Sequence, residues 1–322
     1  MTTLESKSNG VILRGLDGSN PLGFLAALGT LRTLALALPK EAVKMSWVES
    51  DGGWRPSVTR DRAVSEREIV ECLRQQLKSK DEHGAFSFSD NLSVSPDEFR
   101  TFATNALAGA HRCSEPSRRT VVDFAAAFAC DLLVNEQGKI QDTALRTMSG
   151  AGHQHFLAFM RQIVQETNAE HLQKSLFDTW TYDDPVTNQS LRWDPADDSR
   201  YALQWRDPSG DPSRKERGGM LGANRLAIEG LPLVSCAPVN GSLQTTGFVG
   251  RGSRNTFWVW PIWAFPISLD VCRTILAHSA LVNNKDGMPN YDQLRHLGIC
   301  AAYRSQRITV GKFRNFTPAK LA

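Results

Sequence analysis

Apolar residues near the N-terminus come in two patterns. Val11-Ile12-Leu13 is a short continuous run ending at Gly15, which predicts a strand. From Pro21 to Leu38 the chain is apolar on nearly every side (Phe24, Leu25, Leu28, Leu31, Leu34, Leu36), which predicts a buried helix. Asn20 is its natural cap and Pro21 its first helical residue. The small residues Gly23, Ala26, Ala27 and Gly29 leave room for another backbone, and Arg32 in mid-helix requires a partner.

Further along, 43–48 predicts a strand closed by the turn Asp51-Gly52-Gly53. Helices are predicted over 65–79, 96–110, 120–134 and 153–177. After Trp180 the texture changes. Residues 181–219 are rich in Asp, Pro, Ser and Gly and read as short strands joined by polar loops. A short helix is expected over 220–230, strands over 245–249 and 255–265, a helix over 268–279, and a strand pair near 299–310. The fold class expected is α+β: a helix-rich N-terminal part (1–180) and a mixed, strand-containing C-terminal part (181–322) around a shared core. The boundary is soft, and a single domain is the alternative.

Composition excludes some classes. The 322 residues are 41% hydrophobic and 22% charged, with 24 Gly and 15 Pro, unlike collagen, disordered or coiled-coil sequences. No uninterrupted apolar window predicts a membrane span, and residues 1–10 lack the pattern of a signal peptide. Six dispersed cysteines with no CxxC pair read as reduced, mostly buried thiols of a cytosolic protein. Charge is more informative when divided. Residues 1–199 carry 21 Lys and Arg against 27 Asp and Glu, and residues 200–322 carry 16 against 7. A net charge of +3 therefore conceals an acidic front and a basic back, a pattern that points to a polyanionic partner.

Candidate chemistry follows that charge. Arg214, Lys215 and Arg217 lie on one glycine-bearing loop, and Arg251 and Arg254 on another flanked by Phe248, Phe257, Trp258 and Trp260. Arg304, Arg307, Lys312 and Arg314 belong to a terminal stretch that has no acid from Ile299 onward. Such residues can follow a phosphate backbone. The aromatics either stack on bases or, alternating along a strand, fill a core. Arg118 and Arg119, and the loop Gly150-Ala151-Gly152-His153-Gln154-His155, are weaker contact candidates. That loop reads either as backbone N–H groups receiving a phosphate at a helix N-terminus, or as a turn whose histidines cap and pack. Asp183-Asp184 and Asp197-Asp198 are paired acids able to hold Mg²⁺, or ordinary turn residues. No nucleophile elbow, phosphate loop or HExxH is present, so no catalytic residue, metal or cofactor is assigned.

The stretch Gly15-Leu16-Asp17-Gly18-Ser19-Asn20-Pro21-Leu22-Gly23-Phe24-Leu25-Ala26-Ala27-Leu28-Gly29-Thr30-Leu31-Arg32 is similar to the opening of CRISPR-associated proteins of type I-U (I-G) systems. Three segments extend the resemblance: Met148 to Leu157, Ala223 to Leu233, and Thr245 to Phe248 with Trp258-Val259-Trp260-Pro261. It implies a signature or large-subunit-like protein of an RNA-guided DNA-targeting effector, acting in antiviral defence. Guide RNA or target DNA and other Cas subunits would be its partners, without a membrane. The chain is short for a full-size large subunit, so no flanking-motif residues carry over. A metal-dependent nuclease using His153, His155 and an Asp pair, and a protein-only scaffold, are the alternatives.

Overall fold

A computed structural model describes residues 10–78, 84–112, 116–148, 155–184, 190–197, 218–250, 252, 255–282, 287–310 and 313–322. At its centre is helix α1 (Pro21–Ala37), whose residues from Pro21 to Leu34 are all buried. The Asn20 side chain accepts hydrogen bonds from the N–H groups of Leu22 (2.8 Å) and Gly23 (3.3 Å), and Pro21 opens the first turn. The element lying against α1 is a second fully buried helix, formed by Leu221–Gly230. Their backbones meet at glycine: a Cβ at Gly29 would stand 1.7 Å from the Leu226 carbonyl oxygen.

Strand β1 (Val11–Ile12) precedes α1, and the hairpin β2 (Lys44–Ser50) and β3 (Gly53–Thr59) follows it. They form an antiparallel sheet in the order β1-β3-β2. Asp51 (φ 50°) and Gly52 (φ 70°) make the left-handed hairpin turn. Strand β3 was not expected, because Pro56 interrupts its pattern. Here the Pro56 carbonyl accepts from the Leu13 N–H (2.8 Å). The missing N–H of the proline points the same way, toward the two-residue β1 rather than toward β2.

Next come α2 (Glu66–Lys78), α3 (Pro96–His111) and α4 (Pro116–Phe128). The helix expected over 120–134 ends at Phe128. Ala129–Val134 is strand β4, paired with β5 (Ile140–Asp142) across a turn with Gly138 at φ 69°. Phe124, Phe128 and Leu132 keep helical spacing, so the pattern alone did not mark the change. The long helix expected over 153–177 is two helices, α5 (Phe156–Glu166) and α6 (Ala169–Phe177). Asn168 breaks them apart with a reciprocal cap: its side chain accepts from the His171 N–H, and its own N–H donates to His171 Nδ1. Helix α7 is the Leu221–Gly230 segment.

Two small hairpin strands, β6 (Cys236–Val239) and β7 (Ser242–Thr245), lead into β8 (Phe248–Val249) and β9 (Thr256–Trp263). Helices α8 (Leu269–Leu276) and α9 (Tyr291–His296) follow, then β10 (Ile299–Val310), β11 (Phe313–Phe316) and β12 (Lys320–Leu321). The expected strand pair near 299–310 is instead one twelve-residue strand, β10. It pairs antiparallel with β9 on one side and with β11 and β12 on the other.

The fold class is α+β. One hydrophobic cluster runs from Leu13 to Phe316, drawing on both sides of residue 180. Trp258, Trp260 and Trp263 belong to it and surround Phe24, which stacks on Trp47 at 5.7 Å. The indole N–H groups of Trp260 and Trp263 donate to the carbonyls of Gly18 and Met45 (both 2.8 Å). The cysteines are less buried than expected: among those described, Cys272 is buried, Cys72, Cys130 and Cys236 are half-buried, and Cys300 is exposed. Among the described residues no helix is long and apolar enough to cross a membrane.

Candidate nucleic-acid interface

Strand pairing sets the geometry of the site. Arg307 on β10 faces Thr256 of β9 and Phe316 of β11, and Arg314 sits two residues before Phe316. Side chains alternate along strands, so Arg307, Arg314 and Thr256 share one face of the sheet. That face opens into a cleft of about 800 Å³. Its other walls come from β5 and the turn before it, from β7, and from Phe248, Gly250 and Gly252. Gly250 and Gly252 adopt φ of 75° and 82°, which turn the chain around the rim.

Among the described residues a third cation, Arg146, joins the cluster. It is held on three sides. It pairs with the Asp142 carboxylate, its Nε donates to the Met148 carbonyl (2.7 Å), and its Nη2 donates to Ser93 Oγ (2.7 Å). Arg307 donates to the Ala144 carbonyl (2.9 Å), and Arg314 reaches the Arg146 carbonyl at 3.4 Å. Among the described residues that line the cleft Asp142 is the one acid, and it is already paired with Arg146. Neither Arg307 nor Arg314 has a carboxylate of the described residues within ion-pair distance. Burial, and next the Arg314 charge, pull the Arg307 pKa down to about 10. Burial lowers that of Arg314 as well, against the attraction of Asp142. Both remain cationic at neutral pH.

Of the expected contact residues, the structure therefore joins Arg307 and Arg314. It separates Arg304, which the strand alternation turns to the opposite face. There its guanidinium lies 3.8 Å from the centroid of the Phe257 ring, and its Nη1 is 3.5 Å from Met288 Sδ. Arg119 lies on α4, exposed and 3.4 Å from Asp123, and does not line the cleft. His155 occupies the cap position of α5 without a side-chain cap bond, its Nδ1 3.5 Å from Asn91 Nδ2. Arg214, Lys215, Arg217, Arg251, Arg254, Lys312, Gly150, Gly152 and His153, and the side chain of Arg118, lie outside the described residues.

Arg146 and Asp142 were not singled out from the sequence. Their spacing of four residues was the available signal, and it reads equally as a local surface pair. The aromatic expectation divides. Trp258 and Trp260 are core, whereas Phe248 is half-buried, stacks on Trp258 at 5.7 Å, and lines the cleft. The paired acids serve the fold. Lys174 contacts both Asp183 and Asp184, and Asp184 accepts from the Leu221 N–H (2.7 Å) at the start of α7. Asp197 accepts from the Ser190 hydroxyl (2.5 Å), and Asp198 lies outside the described residues. Among the described residues no three His, Cys, Asp or Glu side chains gather as metal ligands. Comparison with family models and with curated proteins finds no match for this chain.

Proposed function

We propose that the protein binds nucleic acid through the arginine cleft, as a non-catalytic subunit of a CRISPR type I effector complex that contacts guide RNA or target DNA and neighbouring Cas subunits. The observation that carries the binding reading is the juxtaposition of Arg307 and Arg314. Two partly buried guanidinium groups repel one another, and Asp142 is committed to Arg146. A buried charge without a counter-charge is costly, and an entering anion removes that cost. A phosphodiester fits well, because its oxygens accept in the fork geometry that guanidinium groups present. Assignment to a CRISPR effector rests on the resemblance of four segments, from Gly15–Arg32 to Trp258–Pro261.

The test is a fluorescence-anisotropy titration of the purified protein with labelled DNA and RNA over a range of salt. Binding should weaken steeply with salt, and the double variant R307Q/R314Q should lose affinity together with part of the salt slope. Unchanged binding by the double variant would remove the cleft from the assignment. The effector reading is tested separately by the genomic neighbourhood. A CRISPR array and a helicase-nuclease gene beside this one are expected, and their absence would overturn it.

A further inference from the structure

The chemistry around the three arginines says more than that the ligand is anionic. We infer that the cleft takes an unpaired strand of nucleic acid, with phosphates on Arg307 and Arg314 and at least one base turned into the cleft; this rests on the phosphate-binding reading above. Size comes first. A volume of 800 Å³ corresponds to about 9 Å in each direction if it were a cube. The major groove of a duplex is alone about 12 Å wide, so a whole duplex does not enter. A sugar, a phosphate and a base do.

The lining comes second. A site for phosphate alone needs only cations, but this cleft also has an aromatic ring and spare amides. Phe248 is stacked on Trp258 with the rings 1° from parallel, which holds it rigid while it lines the cleft. A base gains by stacking on such a ring whatever its identity. Gln137, in the turn before β5, and Gln244, on β7, line the same cleft and are exposed. Neither side chain makes a hydrogen bond with the described residues, in contrast to Gln141, which bonds to both Val134 and Leu243. A primary amide offers donors and an acceptor together and so matches the edge of an unpaired base. In a duplex those edges are largely occupied by the complementary strand.

The experiment uses the full chain and three labelled probes of about 12 nucleotides each: oligodeoxythymidine, a hairpin duplex, and an abasic oligonucleotide with the same phosphates. At about 150 mM salt, oligodeoxythymidine should bind at least roughly tenfold more tightly than either of the others. F248L should bring its affinity down toward the abasic level, and R307Q/R314Q should weaken oligodeoxythymidine and abasic probe alike. The exposed double variant Q137A/Q244A cannot act through the core and should also narrow the gap to the abasic probe. Duplex or abasic binding as tight as that of oligodeoxythymidine would overturn the unpaired-strand inference and leave phosphate binding standing. Failure to bind any of the three, or an oligouridine of the same length, would overturn the nucleic-acid reading itself.

Discussion

Arg32 on α1 and Glu229 on α7 form an ion pair of 2.9 Å in which both side chains are fully buried. Glu229 also takes Arg225 at 2.9 Å, while Arg32 lies 3.6 Å from Asp123 and over the Phe124 ring. The one charge inside the apolar N-terminal helix is thus met by a charge almost two hundred residues away. Removing one member of a buried pair leaves the other desolvated and alone, at a cost of about 3–5 kcal/mol. Arg32→Met leaves Glu229 with its Arg225 partner, so in urea unfolding it should lose less than that, though more than about 1 kcal/mol. Glu229→Gln should lose more, because it takes the carboxylate from Arg225 and leaves Arg32 with Asp123 alone, at 3.6 Å. A loss below about 1 kcal/mol in either variant would show that the pair is solvated.

Close approach of the same two helices makes a second prediction. A methyl group at Gly29 would overlap the Leu226 carbonyl, and one at Gly230 would sit 2.4 Å from the Leu25 carbonyl. Backbone atoms cannot turn aside as a side chain can, so the helices must separate. Gly29→Ala should destabilise by more than the roughly 1–3 kcal/mol typical of core overpacking. Thermal melts of G29A and of the control G109A, where an added Cβ meets nothing within 4 Å, should differ clearly, the latter being almost neutral or slightly stabilised by better helix propensity.

Asp194 supplies a pH dependence. It is buried, and accepts hydrogen bonds from Asn20 Nδ2 (3.2 Å), the Ala196 N–H (2.8 Å) and the Tyr182 hydroxyl (3.1 Å). Burial, and then the Asp197 charge, raise its pKa from 3.8 to about 6. Between those values the folded protein retains a proton that the unfolded chain has released. Its contribution to stability is therefore complete below about pH 3.8 and is lost as pH rises through about 6. Denaturation midpoints should decline over that window, and D194N should flatten the decline. An equally steep decline in D194N would assign it to other groups.

Arg304 and Arg307 are three residues apart and should behave differently. Arg307 lines the cleft, and Arg304 stacks on Phe257 on the other face of β10. On a single strand, Arg307→Gln should reduce the slope of log affinity against log salt by about 0.7. Arg304→Gln should leave that slope unchanged and cost about 0.5–1 kcal/mol of stability through the lost cation–π contact. Equal effects of the two on binding would mean that the ligand crosses both faces of the sheet.

Local chemistry in the sequence determined a good deal of this protein. Asn20 with Pro21, Ser95 with Pro96, and Ser268 mark helix starts where the structure has them, because a cap is satisfied within three residues of itself. The all-round apolar character of Pro21–Leu38 was enough to bury that helix and to demand a partner for Arg32. The concentration of positive charge late in the chain was likewise legible, and it marked Arg307 and Arg314. Only the tertiary structure decided the rest. Whether 129–134 continued a helix or turned into β4 depended on pairing with β5, which local spacing does not encode. Which arginines act together depended on strand register: the alternation that joins Arg307 to Arg314 sends Arg304 away. Arg146 entered the cluster because Asp142, a local partner, and Ser93, from a segment distant in the chain, hold it there together, and the second contact exists only once those segments pack. Composition sets how much charge the protein carries. Where that charge converges is set by packing, because side-chain direction is fixed only once strands have found their partners.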